Sequence, residues 1–226
     1  MSRKNRSRAR FQDPVKVVPR VLRKLHSEWL RVTYPFAAMG PKVSIHPTCT
    51  ISRKDAHRIQ LGSHINIEKD ACLRVCGPED EGDPVIVIED NCVINWRSQI
   101  DAKNRIHLEA GVLVAQDVLI VDQNHAYEDV STPIRDQGLT AGGTVRIGEG
   151  CFIAHGASII CSRGDLVLGR NCVVAAHAVV TRSAPPFSVL SGNPAMIVRQ
   201  FDPVKQVWVV GSIRSRELGH LSRSAD

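Results

Sequence analysis

Ile88-Glu-Asp-Asn-Cys-Val-Ile94-Asn-Trp-Arg-Ser-Gln-Ile100 puts an aliphatic residue at every sixth position, and the chain returns to this phrase. Leu108, Val114 and Ile120 follow, then Ile147, Ile153 and Ile159, then Leu168, Val174 and Val180. Four residues after most of these anchors stands a small side chain: Cys92, Ser98, Cys151, Ala157, Cys172 and Ala178. A period of six fits neither the 3.6 of an amphipathic helix nor the 2.0 of an isolated strand. It is the period of a solenoid in which each hexapeptide forms one side of a three-sided coil. The anchors point inward and stack on their equivalents in neighbouring coils. The small residue turns into the same crowded interior, where nothing larger fits. The fold class that follows is an all-β solenoid.

Outside the regular coils the beat loosens. From Pro41 it survives as Ile45, Ile51, Leu61, Ile67 and Leu73, and the stretch 76–84, Cys-Gly-Pro-Glu-Asp-Glu-Gly-Asp-Pro, breaks it as an acidic surface loop. At Asp122 the coil stops and resumes only at Val145, which makes residues 122–145 an extruded loop. An excursion of that length from a regular solenoid is functional or disordered. This one opens with Asp122-Gln-Asn-His-Ala-Tyr rather than Gly/Ser filler, which favours function. A short extension lies around Cys161–Asp165, and Pro185-Pro186 with Ser191-Gly-Asn-Pro194 ends the coil. Residues 202–209 read as a capping helix or strand, and the last fifteen as a polar tail.

The charge is uneven. The formal +6 arises in residues 1–31, with ten Lys/Arg against Asp13 and Glu28, so the rest of the chain is near neutral. Residues 1–13 read as a disordered basic arm without the aromatic interleaving of a nucleic-acid binder. A short helix is expected over 19–33, started by Pro19 and stopped before Pro35. On a wheel of about 100° per residue, Val21, Leu22, Leu25, Trp29 and Val32 share one face, and Arg20, Arg23, Lys24 and Arg31 share the other. Two roles fit such a helix: its apolar face caps the open first coil, or it lies in an anionic membrane surface. Only 4% of residues are aromatic, as expected of a narrow aliphatic interior. The seven cysteines show no CxxC or zinc spacing; Cys49, Cys92, Cys151 and Cys172, each four residues after an anchor, read as buried small residues, and a reducing cytosol fits. No run of the sequence has the length and hydropathy of a membrane span.

Four segments carry a family resemblance: Ile94-Asn-Trp, Asp122-Gln-Asn-His125, Ile147-Gly-Glu-Gly-Cys-Phe-Ile, and Val179-Val-Thr-Arg-Ser-Ala-Pro-Pro through Ser191-Gly-Asn-Pro-Ala. From about 41 to 200 the chain resembles the hexapeptide-repeat acyltransferases, which include galactoside, maltose and polysaccharide O-acetyltransferases. The resemblance implies a left-handed parallel β-helix over 41–200, between a basic arm and helix (1–40) and a cap and tail (201–226). It implies a homotrimer with sites between subunits, acetyl-CoA as acyl donor, and no metal. His125 matches the family's general base, and histidine is the side chain whose pKa lies nearest working pH. Asn95 falls where the galactoside enzymes hold the acceptor hydroxyl, and 88–125 aligns with theirs without a gap. Trp96 and Asn124 flank that acceptor site. Ala176, Thr181 and Arg182 match positions lining the pantetheine and nucleotide ends of the donor. Phe152 stands where many members have tryptophan, and Arg199 is a further cation for phosphate.

Lys103 occupies a position that is acidic in the galactoside enzymes, so their specificity is not carried over. The basic helix, irregular early coils and long loop look more like acetyltransferases of capsule or exopolysaccharide assembly. The expected activity is therefore acetyl transfer to a hydroxyl of a sugar or polysaccharide precursor. The exposed aliphatic faces of the trimer interface are expected near Val112–Val118. Two other classes use this solenoid. A gamma-class carbonic anhydrase needs histidines five residues apart, whereas Ile120 and Val130 flank His125 at that spacing. A non-catalytic hexapeptide scaffold would not bind acetyl-CoA.

Overall fold

The structure, a computed structural model, describes residues 14–77 and 82–210. The basic arm 1–13, the centre of the acidic loop at 78–81 and the polar tail lie outside the described residues. Among the described residues, twenty-one short strands form three sheets of six, nine and six. Within each sheet, until the last hairpin, a strand pairs in parallel with the strand three earlier in the chain. The chain thus passes three faces in rotation and returns one layer higher: a three-sided coil. The first sheet runs from Ala38–Met39 to Arg163–Leu168, the second from Ser44–Ile45 to Val207–Val210, and the third from Thr50–Ile51 to Val179–Val180.

Register puts the anchors on top of one another. Ile94 lies between Ile67 and Val114, Ile120 between Ile100 and Ile159, and Ile147 between Leu108 and Leu168. None of the twelve regular anchors is more than 1% exposed. Each such side chain contributes about 1.5–3 kcal/mol on burial, and the stack has no polar gap. The small positions are as deeply buried. Their polar atoms reach the next coil: Ser98 Oγ donates to Ala115 O (2.7 Å), and the Cys92, Cys151 and Cys172 thiols donate to Glu109, Gly169 and Pro185 carbonyls (3.2, 3.1 and 3.1 Å). Burial pushes the Cys92 thiol up to about 11, so it sits there as a small neutral group. No cysteine is paired.

The corners show a rule beyond the small inward residue. The third residue after an anchor takes a left-handed backbone: Asn91, Arg97, Asp117, Asn171 and His177, with Gly111, Gly150 and Gly156 at equivalent places. Asn, Asp and Gly adopt it cheaply, while at Arg97 and His177 it costs about 1–2 kcal/mol. The flanking pairings over-determine these two corners.

Alternation also decides which residues stay outside. Val112, Val114 and Val118 are at most 1% exposed, so within 112–118 the outward aliphatic side chain is Leu113, 39% exposed. Leu113, pointing the other way, pairs with Val93 and Phe152, and Phe152 pairs with Val173. This ladder forms the outward apolar row of the second sheet.

Helix α1 spans Pro14–Thr33, so it begins five residues before the expected start and carries Pro19 inside it. It does cap the first coil, but with the face expected to be outward. Ser27 Oγ accepts from the Ile45 N–H (2.9 Å), and Arg31 reaches the Met39 and Gly40 carbonyls, which satisfies edge groups of two first strands. Arg23 donates to Glu68 (3.0 Å), Asn66 Oδ1 (2.5 Å) and Ile67 O (2.8 Å). Leu30 is the helix residue that enters the core. At the far end, Ser188–Gly192 closes the second sheet and the chain reverses into antiparallel Ala195–Asp202 and Val207–Val210. The C-terminal cap is therefore a strand pair.

Candidate active site

The extruded loop leaves the edge between the third and first sheets, after strand Leu119–Val121, and rejoins at Gly142–Ile147. Its root is built on Asp122, which is fully buried. One carboxylate accepts the N–H groups of Lys103, Asn104 and Arg105 (2.7, 2.8 and 2.8 Å) from the coil below. Burial pushes this carboxyl above its ordinary range, and the three N–H groups pull it back. Asp122 O also accepts from Gly143 N (2.7 Å), which closes the loop at its base. Gly142 sits at φ +81°, and a Cβ there would meet Asn104 Nδ2 at 2.8 Å, so the closure needs glycine.

Above this base the two arms run side by side. Asn124 N donates to Thr140 Oγ1 (3.1 Å), Thr140 N to Asn124 O (2.7 Å) and Ala126 N to Gly138 O (3.0 Å). His125 stands between these rungs, opposite Leu139, with its N–H on Asn124 Oδ1 (2.9 Å). The Lys103 ammonium braces the returning arm at the Thr140 carbonyl. His125 is exposed, and among the described residues no side chain bonds its ring. The backbone of the histidine is fixed while the imidazole faces outward, as a base for an external proton requires.

Farther out, Asp129 organises the tip. It accepts from Ser131 N, Ser131 Oγ and Thr132 Oγ1 (2.8, 2.6 and 2.7 Å), which hold its carboxyl down at about 2. Gln137 bridges back to the Asp129 and Thr132 carbonyls (both 2.7 Å).

Asn95 and Trp96 lie on a different edge, between the second and third sheets. Asn95 Nδ2 donates to Val114 O (3.0 Å), which leaves the amide oxygen outward. Trp96 is exposed, with Lys69 Nζ 4.8 Å from its ring. The same edge carries a column absent from the sequence reading: Arg97 holds Asp117 through two bonds (2.6 and 2.7 Å), His155 Nδ1 lies 3.4 Å from Asp117, and His177 stacks edge-on to His155. Ala176 adjoins this column. Thr181 and Arg182 follow strand Val179–Val180 on the His125 edge, so Ala176 and Thr181 bracket the two ends of that strand. Phe152 and Arg199 face outward from the second sheet, and Arg199 stacks 5.7 Å from Trp208. Within one chain, then, His125, Asn124, Thr181 and Arg182 share one edge, while Asn95, Trp96 and Ala176 share another across the third sheet.

A donor with an apolar arm and phosphates fits part of this set. Ala176 and Thr181 are small and exposed, the half-buried Val179 lies between them, and the half-buried Ile160 lies one layer back beside Thr181. Arg182 adds an exposed cation at the end of that path. A separate groove of about 560 Å³ lies around Arg146, Val167, Arg170, Pro185 and Pro186, and none of the expected site residues lines it. Among the described residues no three His, Cys, Asp or Glu side chains converge to hold a metal ion.

Comparison with known proteins places likenesses beside this geometry. No family model matches the chain. The chain is 32% identical over 169 residues to the probable acetyltransferase Rv3034c of Mycobacterium tuberculosis, covering 74% of this chain and 51% of that one. It is 26% identical over 133 residues to Escherichia coli WbbJ, named for lipopolysaccharide biosynthesis O-acetyl transfer, covering 56% and 66%. It therefore spans about half to two-thirds of the length of these relatives. Among solved structures, the Bacillus cereus N-acyltransferase AntD, in complex with dTDP-4-amino-4,6-dideoxyglucose and coenzyme A, superposes with a TM-score of 0.62 at 14% identity, over 84% of this chain and 89% of that one. A hexapeptide-repeat acetyltransferase from Vibrio cholerae, complexed with acetyl coenzyme A, gives 0.51 at 17% identity over 78% and 76%. The fold is that of the hexapeptide-repeat class. The chain is similar in sequence to curated acetyltransferases and shares its fold with a hexapeptide-repeat acetyltransferase.

Proposed function

We propose that this chain is an acetyl-CoA-dependent O-acetyltransferase acting on a hydroxyl of a sugar or polysaccharide precursor, with His125 as general base. The observation that carries the reading is His125 itself, an exposed imidazole at the root of a loop whose backbone is pinned on both arms. A sugar hydroxyl is a weak nucleophile with a pKa far above neutrality. In the reaction His125 takes its proton as the oxygen attacks the thioester carbonyl. The tetrahedral centre then collapses, the carbon–sulfur bond breaks, and the imidazolium returns the proton to the departing thiolate. Positioned proton transfer of this kind supplies about 10²–10⁴ in rate.

Asn95, through its outward amide oxygen, and Trp96 and Asn124 orient the acceptor. Ala176 and Thr181 flank the pantetheine arm and Arg182 meets phosphate, with Phe152 and Arg199 as outer contacts. The coil is a left-handed β-helix assembled as a homotrimer. That assembly joins Asn95 of one subunit to His125 of the next and covers the outward row Val93, Leu113, Phe152 and Val173. The setting is cytoplasmic, with membrane contact argued below.

The test follows free thiol release from acetyl-CoA across a panel of sugars, nucleotide sugars and their amino analogues. A hydroxyl acceptor that turns over with the parent and fails with His125→Ala supports the reading. Turnover of amino sugars alone would make the chain an N-acyltransferase. Failure to bind acetyl-CoA at millimolar concentration would favour a scaffold.

A further inference from the structure

Helix α1 uses one side to close the coil and leaves the other largely exposed, with Trp29 touching Tyr34 at its end (ring centroids 5.8 Å). Arg23, Ser27, Leu30 and Arg31 hold the coil, as described above. On the opposite side Val21, Leu22, Leu25, Trp29 and Val32 form a continuous stripe, each between 51% and 84% exposed. Single exposed leucines are ordinary, but a stripe of five large apolar side chains marks a contact surface. Its rotation is set, because turning the stripe inward would break the Ser27 and Arg31 bonds to the first strands. Capping and the apolar stripe are thus two separate properties of one helix.

The surroundings of the stripe are predominantly basic. Arg20 and Lys24 are exposed on the helix, and Lys42 and Arg53 are exposed at the same end of the coil. Glu28, the acidic residue of the helix, is paired with Arg31 at 3.1 Å. Upstream, residues 1–13 add Arg3, Lys4, Arg6, Arg8 and Arg10 against Asp13. A groove on a partner protein would be satisfied by the apolar stripe alone. Apolar side chains with a tryptophan, bordered by lysine and arginine, suit the boundary between acyl chains and anionic headgroups.

We propose that helix α1 docks this stripe in an anionic lipid surface, lying along the membrane while the coil projects from it. The helix does not cross the bilayer: no helix among the described residues is long and apolar enough to do so. The proposal is independent of the acyl-transfer reading.

Flotation of the full-length chain with phosphatidylcholine vesicles, with and without phosphatidylglycerol, tests it. The expected result is binding only to vesicles containing phosphatidylglycerol. Binding should weaken about fivefold per surface cation removed, as in Arg20→Glu with Lys24→Glu, and fall as salt rises. Leu25→Glu with Trp29→Glu should abolish it at an unchanged melting temperature, while Trp29→Phe retains most of it. The proposal is overturned if the parent ignores both vesicles, or if binding survives the paired glutamates. It is also overturned if those glutamates lower the oligomeric mass in light scattering, because the stripe is then a contact between copies. If the paired glutamates fail to fold, the charge-reversal pair, which touches only exposed positions, decides by the same reading.

Discussion

The coil and the loop that leaves it are stabilised in opposite ways. In the coil, aliphatic anchors stack in register with almost no exposure, and the small inward residues Ser98 and Cys151 bond to the next layer. In the loop no residue from 123 to 141 is buried, and its shape rests on hydrogen bonds around Asp122, Thr140 and Asp129. Apolar stacking supplies stability without chemistry. The loop offers polar groups to solvent but has no core of its own, so it borrows rigidity at its root. Substitutions in the two regions should therefore separate stability from turnover.

The largest separation is expected at His125. His125→Ala should lower turnover about a hundredfold or more while donor affinity and the melting temperature stay at parental values. Parental turnover in that variant would end the assignment. Ile120→Ala is the reciprocal change, made just beneath the loop between Ile100 and Ile159. It should cost about 2–5 kcal/mol in chemical denaturation with little change in turnover per folded molecule. A loss of activity at full stability would mean that coil and loop are not separable.

Asp122 joins the two regions. Asp122→Ala leaves the amides of Lys103, Asn104 and Arg105 without their acceptor, which should cost about 1–3 kcal/mol. Because the root also positions His125, activity measured well below the melting transition should fall by more than stability does. Equal losses would show a structural role only. Subunit exchange tests where the site lies: mixed Asn95→Ala and His125→Ala chains should regain a fraction of parental activity that neither has alone. No recovery after verified exchange would put the whole site in one chain.

The smallest effect concerns the tip. Asp129 titrates at about 2 in the folded loop against an ordinary 3.8. A depressed carboxyl contributes order that is full above the ordinary value and fades as pH falls through the folded one. Amide exchange at Ser131 and Thr132, corrected for its intrinsic pH dependence, should accelerate between pH 4 and 2. Asp129→Ala should remove that pH step, and a step that persists in it belongs to another group.

Much of this was legible without coordinates. The sixfold beat named every regular anchor, and the interruption at Asp122 marked the loop, because inward stacking leaves a local periodic signal. The candidate donor and acceptor residues were each read as isolated matches, but their distribution over two edges was not legible. Asn95 and His125 are separated by one pass across the third sheet, and only the coil geometry shows it. Asp122 and Lys103 were on the page as motif residues without a role. Their function depends on backbone groups one layer away, which no spacing reveals. An outward aliphatic face near Val112–Val118 was expected, and the strand pairing shows that Leu113 is the side chain that forms it.

The sequence alone determined that this chain winds as a three-sided coil, since a period of six admits few other ways to bury one aliphatic residue per side. It also determined that helix α1 has an apolar and a basic side. Only the tertiary structure decided which side meets the coil. The first strands present edge N–H and C=O groups, and these bind Ser27, Arg31 and Arg23 (Ser44 O, 3.4 Å) rather than Leu22, Leu25 and Trp29. Hydrogen bonds at an open sheet edge are directional and costly to leave unmade, whereas an apolar stripe carries no direction. The polar side therefore takes the coil, and the apolar stripe is left facing outward.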